Sequence, residues 1–247
     1  MSGYSVDAHY WTRRAAIAGI SGLTAAAPPI RNYLRVKFHM DVVFWLCAAH
    51  GYPLRDPEIL DAFSGAGLSM SHAYMDRALR ADLCDINADY IRLGGKLSPK
   101  VTPIHGDSFK MINEGDPRLG RYDMIILDNN LGGIYAGFCE HFDAMPAVFR
   151  HLKTDVPYGV VALNFITDPD LMNQDERFQT PPESFGEQMR RRAEFYQTDQ
   201  RRLTPRIGAA AYDREARKEG WIVEDFALAP RAEYFHFLLL FLRKADR

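Results

Sequence analysis

The chain has 247 residues, 47% of them apolar and 25% charged, with 30 basic against 32 acidic side chains and a formal net charge of −2. That length supports one large α/β domain or two small ones, and the charge balance argues against a dedicated nucleic-acid binder, which carries a basic excess. Three cysteines without CxxC spacing exclude a disulfide scaffold or a zinc ribbon and point to a reducing compartment.

The N-terminal stretch carries two readings. Arg13-Arg14, a short Ala/Gly-rich run and Ala25-Ala26-Ala27 resemble a twin-arginine export signal. The run is poor in leucine, however, and the favoured reading is a helical extension or lid over residues 1–54 of a cytoplasmic protein. Pro28-Pro29 reads as a break, followed by a buried helix over 36–50 that Gly51 and Pro53 stop. No apolar run reaches the roughly 18 residues of a membrane span.

From residue 55 onward short apolar runs alternate with helix-like segments. The runs are 59–63 (ILDAF), 81–86 (ADLCDI), 101–105 (VTPIH), 122–128 (YDMIILD) and 159–166 (GVVALNFI). Crossover helices are predicted over segments such as 87–96 and 138–153, and 182–219 reads as two polar, Arg-rich helices. This alternation predicts a doubly wound, mostly parallel sheet with both faces covered. Residues 221–229 and 233–244 form two further strands separated by only three residues. A parallel connection needs a dozen or more, so these two pair as an antiparallel hairpin. The second is apolar from Tyr234 to Leu242 apart from His236, as befits a strand inside the sheet. The expected architecture is an α/β seven-stranded sheet with an antiparallel C-terminal hairpin, in a domain spanning 55–247.

Four carboxylates fall at strand ends: Asp61, Asp85, Asp107 and Asp128. Open α/β sheets bind ligands at the carboxyl ends of their strands. Each aspartate alone reads as a helix N-cap; four in register read as a ligand site. Asp61 opens the run D-A-F-S-G-A-G, whose glycines suit close approach of backbone to a ligand. Asp85 lies 24 positions further on, where an acid accepts hydrogen bonds from ribose hydroxyls.

D-A-F-S-G-A-G at 61–67, C-D-I-N at 84–87, H-G-D-S-F at 105–109 and Y-D-M-I-I-L-D at 122–128 together resemble the successive motifs of class I S-adenosylmethionine-dependent methyltransferases. The terminal hairpin resembles that family's reversed seventh strand. The resemblance implies S-adenosyl-L-methionine as cofactor. It implies that Phe63, Ser64, Gly65 and Gly67 wrap the methionine portion with Asp61 nearby, and that Asp85 binds ribose. Ile86 would pack on adenine, Asp107 and Ser108 would contact the adenine edge, and Asp128 would face the methyl group. A nicotinamide dinucleotide fits less well. Its fingerprint wants Gly or Ala three positions after the second glycine, where this chain has Met70.

Asp128-Asn129-Asn130-Leu131 opens the loop expected at the acceptor and lacks the prolines and aromatic of the tetrapeptide that orients amino groups in many methyltransferases. Asp128, Asn129 and Asn130 are the candidate acceptor-orienting residues. Glu140 and His141 are candidate general bases, weighed against the helix first turn that acids favour. Cys139 lies too far past the strand end for nucleophilic catalysis. No paired Cys/His spacing suggests a metal. Arg190-Arg191-Arg192 and Arg201-Arg202 flank Phe195 and Tyr196, a pattern that suits RNA or, more commonly, a solvated helix face. The expectation is a methyltransferase acting on a small molecule or peptide. An RNA or DNA methyltransferase, or a non-catalytic cofactor-binding protein of this fold, is the alternative.

Overall fold

The computed structural model describes residues 28–67, 70–128, 140–176, 179–231 and 234–245. Seven strands form one sheet in the order β3-β2-β1-β4-β5-β7-β6. The first five are β1 (Glu58–Asp61), β2 (Arg80–Asp85), β3 (Val101–His105), β4 (Met124–Leu127) and β5 (Tyr158–Ile166). They pair in parallel. β6 (Trp221–Pro230) and β7 (Phe235–Lys244) close the sheet, and β7 runs antiparallel to both β5 and β6. The hairpin inferred from the short connection is therefore present, with its second strand inserted between β5 and β6.

Alternation of side chains builds the two cores. Met124 and Ile126 of β4, with Phe237, Leu239 and Phe241 of β7, face one side. Ile125 and Leu127, with Leu238, Leu240 and Leu242, face the other. These β7 residues are all buried, and a leucine so enclosed contributes about 1.5–3 kcal/mol by leaving water. An unbroken apolar run is thus a period-two strand covered on both faces.

The first core is completed by α1 (Pro28–Ala49) and the short α2 (Met70–Tyr74). Met40, Val43, Phe44, Leu46 and Cys47 pack there with Ile59 and Phe241, so α1 supplies a wall of the domain's own core. Pro28-Pro29 opens α1 rather than breaking the chain before it. In a helix's first turn the missing N–H has no partner to lose and φ is already suited. The helix ends at Gly51, whose φ of +92° is the left-handed stop expected of glycine.

On the opposite face lie α4 (Ser108–Glu114), α6 (Pro182–Tyr196) and α7 (Pro205–Lys218), whereas α3 (Ala88–Gly94) sits on the first face with Gly94 against Leu83, and α5 (Pro169–Gln174) packs with Ile166 and Tyr234 in a small third cluster. Met111, Ile112, Tyr196, Ala209, Tyr212 and Ala216 pack there against the sheet. The helix predicted over 138–153 is, in its described part, two 3₁₀ turns, His141–Ala144 and Ala147–His151. Pro146 between them lacks the N–H that would continue a helix. Among the described residues no helix is long and apolar enough to cross a membrane.

Candidate functional site at the carboxyl edge of the sheet

The parallel strands bring Asp61, Asp85, Asp107 and Asp128 to one edge, at unequal depths. Asp61 pairs with Leu83 on β2 and Ile126 on β4, two residues short of Asp85 and Asp128. Two strand residues span about 6.6 Å, so Asp61 sits below the rim and is 1% exposed. Its Oδ2 accepts hydrogen bonds from Ser71 Oγ at 2.6 Å and Tyr74 OH at 2.9 Å. Its Oδ1 is buried with no hydrogen-bond partner among the described residues. Burial pushes the Asp61 carboxyl up to about 6, against the lowering effect of those two hydroxyls and of the Phe63 backbone N–H, and nearby Asp128 adds to the rise.

The turn after β1 folds over this carboxylate. Gly65 and Gly67 have φ of +56° and +69°, a region L side chains adopt with strain. Ser64 N–H donates to the Cys84 carbonyl, and Gly65 N–H donates to Asp85 Oδ2 at 3.0 Å. Asp85 Oδ1 accepts from Asn87 N–H at 2.7 Å. One carboxylate thus pins the glycine turn to the start of α3. Phe63 packs on Phe109 with ring centroids 4.8 Å apart, and Ile86 is 66% exposed beside Asp85.

Asp107 caps α4, its Oδ1 accepting from the N–H groups of Phe109 and Lys110. Ser108 is buried, and its hydroxyl donates to the Ala62 carbonyl. Both residues stand beside the turn after β1, Ser108 as a tie between α4 and the end of β1.

Asp128 follows β4 and meets two residues that sequence reasoning missed. Its Oδ1 accepts from Asn164 Nδ2 at 2.8 Å and from Arg231 Nη1 at 2.5 Å. Asn164 is fully buried within β5, and Arg231 comes from the turn between β6 and β7. A lone amide in the run GVVALNFI is the signal that could have found Asn164, because a buried amide needs partners. Nothing local distinguishes Arg231. Asn129, Asn130 and Cys139 lie outside the described residues.

Glu140 and His141 belong to a different cluster, at the foot of α6. Both are 0% exposed. Glu140 accepts from Arg192 Nε and Gln188 Nε2, each at 2.8 Å, and from Arg192 Nη2 at 3.2 Å. Burial opposes its ionisation, but Arg192 outweighs burial and holds the carboxyl below its ordinary value. His141 Nε2 meets the Tyr212 hydroxyl, which lies 2.9 Å from that of Tyr196. Burial pushes the His141 imidazole down to about 4.

Four of the five arginines in the two clusters are partnered, and Arg202 is exposed with no ion pair among the described residues. Arg190 bonds Glu187 and Glu194, Arg191 pairs with Asp143 over the Phe142 ring, and Arg201 pairs with Asp170. Arg192, with Glu140, is inside the protein.

No protein-family model matches the chain, and no curated protein matches it significantly. Solved structures do. The N-methyltransferase NodS of Bradyrhizobium japonicum is 10% identical, with 84% of this chain and 94% of that one covered at a TM-score of 0.48. The 16S rRNA methyltransferase RsmC of T. thermophilus, solved with AdoMet and guanosine, is 10% identical over 90% of this chain and 45% of its own, at 0.48. Trm5b of Pyrococcus abyssi is 15% identical over 89% and 50%, at 0.47.

Proposed function

We propose that the chain is an S-adenosyl-L-methionine-dependent methyltransferase acting on a small molecule or peptide. The observation that carries this reading is the β1 edge. A positive-φ glycine turn is pinned by Asp85 above a buried carboxylate, Asp61, one oxygen of which has no partner among the described residues. A buried unpaired carboxylate oxygen is costly unless a donor arrives. The ammonium group of an amino-acid tail is such a donor, so the residues present fit this cofactor.

Phe63, Ser64, Gly65 and Gly67 would surround the methionine portion, with Asp61 beneath it. Asp85 would take the ribose hydroxyls on lone pairs not used by Gly65 and Asn87, since a carboxylate offers about four. Ile86 offers an exposed apolar flank to the base, and Asp107 lies along the same edge. The cofactor, when bound, supplies an electrophilic methyl group. Asp128, Asn129 and Asn130 would orient the acceptor. Glu140 and His141 we assign to the scaffold. A carboxylate clamped by Arg192 and an imidazole enclosed by tyrosines are poorly placed to take a proton. Catalysis would rest on positioning rather than on a strong base.

The small acceptor is supported by the arginines. Arg190, Arg191, Arg192 and Arg201 each face a carboxylate, so of the two clusters only Arg202 offers uncompensated charge to a polyanion. The buried free thiols Cys47 and Cys84 support a cytoplasmic setting.

Isothermal titration tests the cofactor: S-adenosylhomocysteine should bind and NAD should not. Release of S-adenosylhomocysteine on adding cell extract should survive nuclease treatment of the extract. Loss of turnover on nuclease treatment would replace the small acceptor with a nucleic acid, and binding without turnover on any fraction would make the protein a non-catalytic binder.

A further inference from the structure

The turn between β6 and β7 delivers a cation to the carboxyl edge. Arg231 has a side chain 19% exposed, and its Nη1 donates to Asp128 Oδ1 at 2.5 Å and to Asn164 Oδ1 at 3.0 Å. The guanidinium carbon lies 4.8 Å from the centre of the Phe235 ring and 4.5 Å from that of Phe237. One edge of the group is therefore bonded, and aromatic rings lie against it. A guanidinium has five N–H donors. The two on Nη1 are engaged, whereas those on Nε and Nη2 have no acceptor among the described residues. Nε–H and one Nη2–H lie parallel, at the spacing of the two oxygens of a carboxylate. A lysine at this place would lack that fork.

The surrounding charge narrows the ligand. Asp61 and Asp128 lie close enough to influence each other, and they set two carboxylates against one guanidinium. A free anion approaching Arg231 meets that excess of negative charge. A zwitterion does not, because its ammonium group answers the carboxylates while its own carboxylate answers the guanidinium. The Oδ1 of Asp61, which has no partner among the described residues, lies on the same edge.

We propose that the open edge of Arg231 binds the carboxylate of an α-amino-acid head group. This rests on the methyltransferase reading, under which the cofactor itself ends in such a head group; an amino-acid acceptor is the other source. Arg231 would then be a binding residue whose orientation Asp128, Asn164 and the two phenyl rings set in advance. That pre-organisation lowers the entropy cost of each bond it makes.

Titrations of wild type, Arg231→Gln and Arg231→Lys with S-adenosylhomocysteine and with 5′-methylthioadenosine separate the sources, because the second ligand lacks the amino-acid portion. If the cofactor tail is the ligand, Arg231→Gln weakens S-adenosylhomocysteine about 10- to 100-fold, as loss of a bond to a charged group does. Methylthioadenosine then stays within about twofold. Arg231→Lys recovers only part of the loss. If an acceptor is the ligand, S-adenosylhomocysteine binds both proteins equally. L-Alanine then shifts the Arg231 Nε–H resonance of the S-adenosylhomocysteine-saturated wild type. Equal affinities together with no response to alanine overturn the proposal. A wild type that binds neither nucleoside refutes the methyltransferase reading instead, and the alanine titration of the ligand-free protein still decides the Arg231 site. Unchanged circular dichroism and melting of the variants exclude misfolding as the cause.

Discussion

Two acid–arginine pairs stand close in sequence on their acidic side and differ in almost everything else. Asp128–Arg231 lies at the sheet edge, with side chains 15% and 19% exposed, and part of the guanidinium has no acceptor among the described residues. Glu140–Arg192 is enclosed, with side chains 0% and 2% exposed, and Gln188 and Gln200 add further bonds to it. The same chemistry serves two ends. An enclosed pair can only hold α6 against the turn at His141–Ala144, whereas an open pair can hold α-amino acid or acceptor groups that arrive from solvent. Partial exposure, rather than pairing, marks the functional arginine.

The sharpest way to break this comparison is to remove the enclosed cation. Arg192→Met leaves Glu140 charged and unpaired in the interior and should destabilise the fold by about 3–5 kcal/mol in urea denaturation. Replacing both partners, with Glu140→Leu added, should restore most of that loss. A single variant as stable as wild type would show that the pair does not anchor α6.

A second test uses pH on the ligand-free protein. Asp61 titrates near 6 in the fold against an ordinary 3.8, so its contribution to stability is complete below 3.8 and is lost as pH rises through 6. His141 titrates near 4 against an ordinary 6.5, so its contribution is present above 6.5 and is lost as pH falls through 4. Each effect is on the order of 3 kcal/mol. Between pH 4 and 6.5 the two slopes oppose each other. Asp61→Asn should therefore make stability fall more steeply on acidification, and His141→Gln should make it rise. Melting curves at stepped pH that move both variants in one direction would refute the assignment.

Asp85→Ala should weaken S-adenosylhomocysteine by about 1.5–3 kcal/mol, the usual range for a bond to a charged group. Unchanged affinity in a folded variant would remove Asp85 from the ribose site. The smallest effect is expected at Arg190, which lies on the exposed face of α6 between Glu187 and Glu194. Arg190→Gln should leave both melting and S-adenosylhomocysteine affinity unchanged, because exposed pairs are screened by solvent. A fall in turnover with the salt dependence of polyanion binding would favour a nucleic-acid acceptor.

Much of the architecture was legible because it is written in local spacing. Runs of five to eight residues dictated β1 to β5, and a connection too short for a parallel crossover dictated the β6–β7 hairpin. The four strand-end aspartates followed from the same spacing. The segment 138–153 was misread as a helix, because its apolar content hid the interruption at Pro146. Arg190-Arg191-Arg192 looked like one basic cluster. Three consecutive helical residues are spread over about 200° of the helix surface, so they cannot share a face, and Arg192 turned inward while Arg190 faced solvent.

By itself the sequence determined the sheet, its reversed last strand and the edge at which carboxylates gather, because hydrophobic period and loop length act over a few residues. Only the tertiary structure decided which carboxylates are buried, paired or open. Asp61 lies deeper than its neighbours through strand register, Glu140 meets Arg192 across 52 positions, and Arg231 reaches Asp128 across 103. The charge and desolvation that set each group's chemistry come from such distant contacts, which no local pattern encodes.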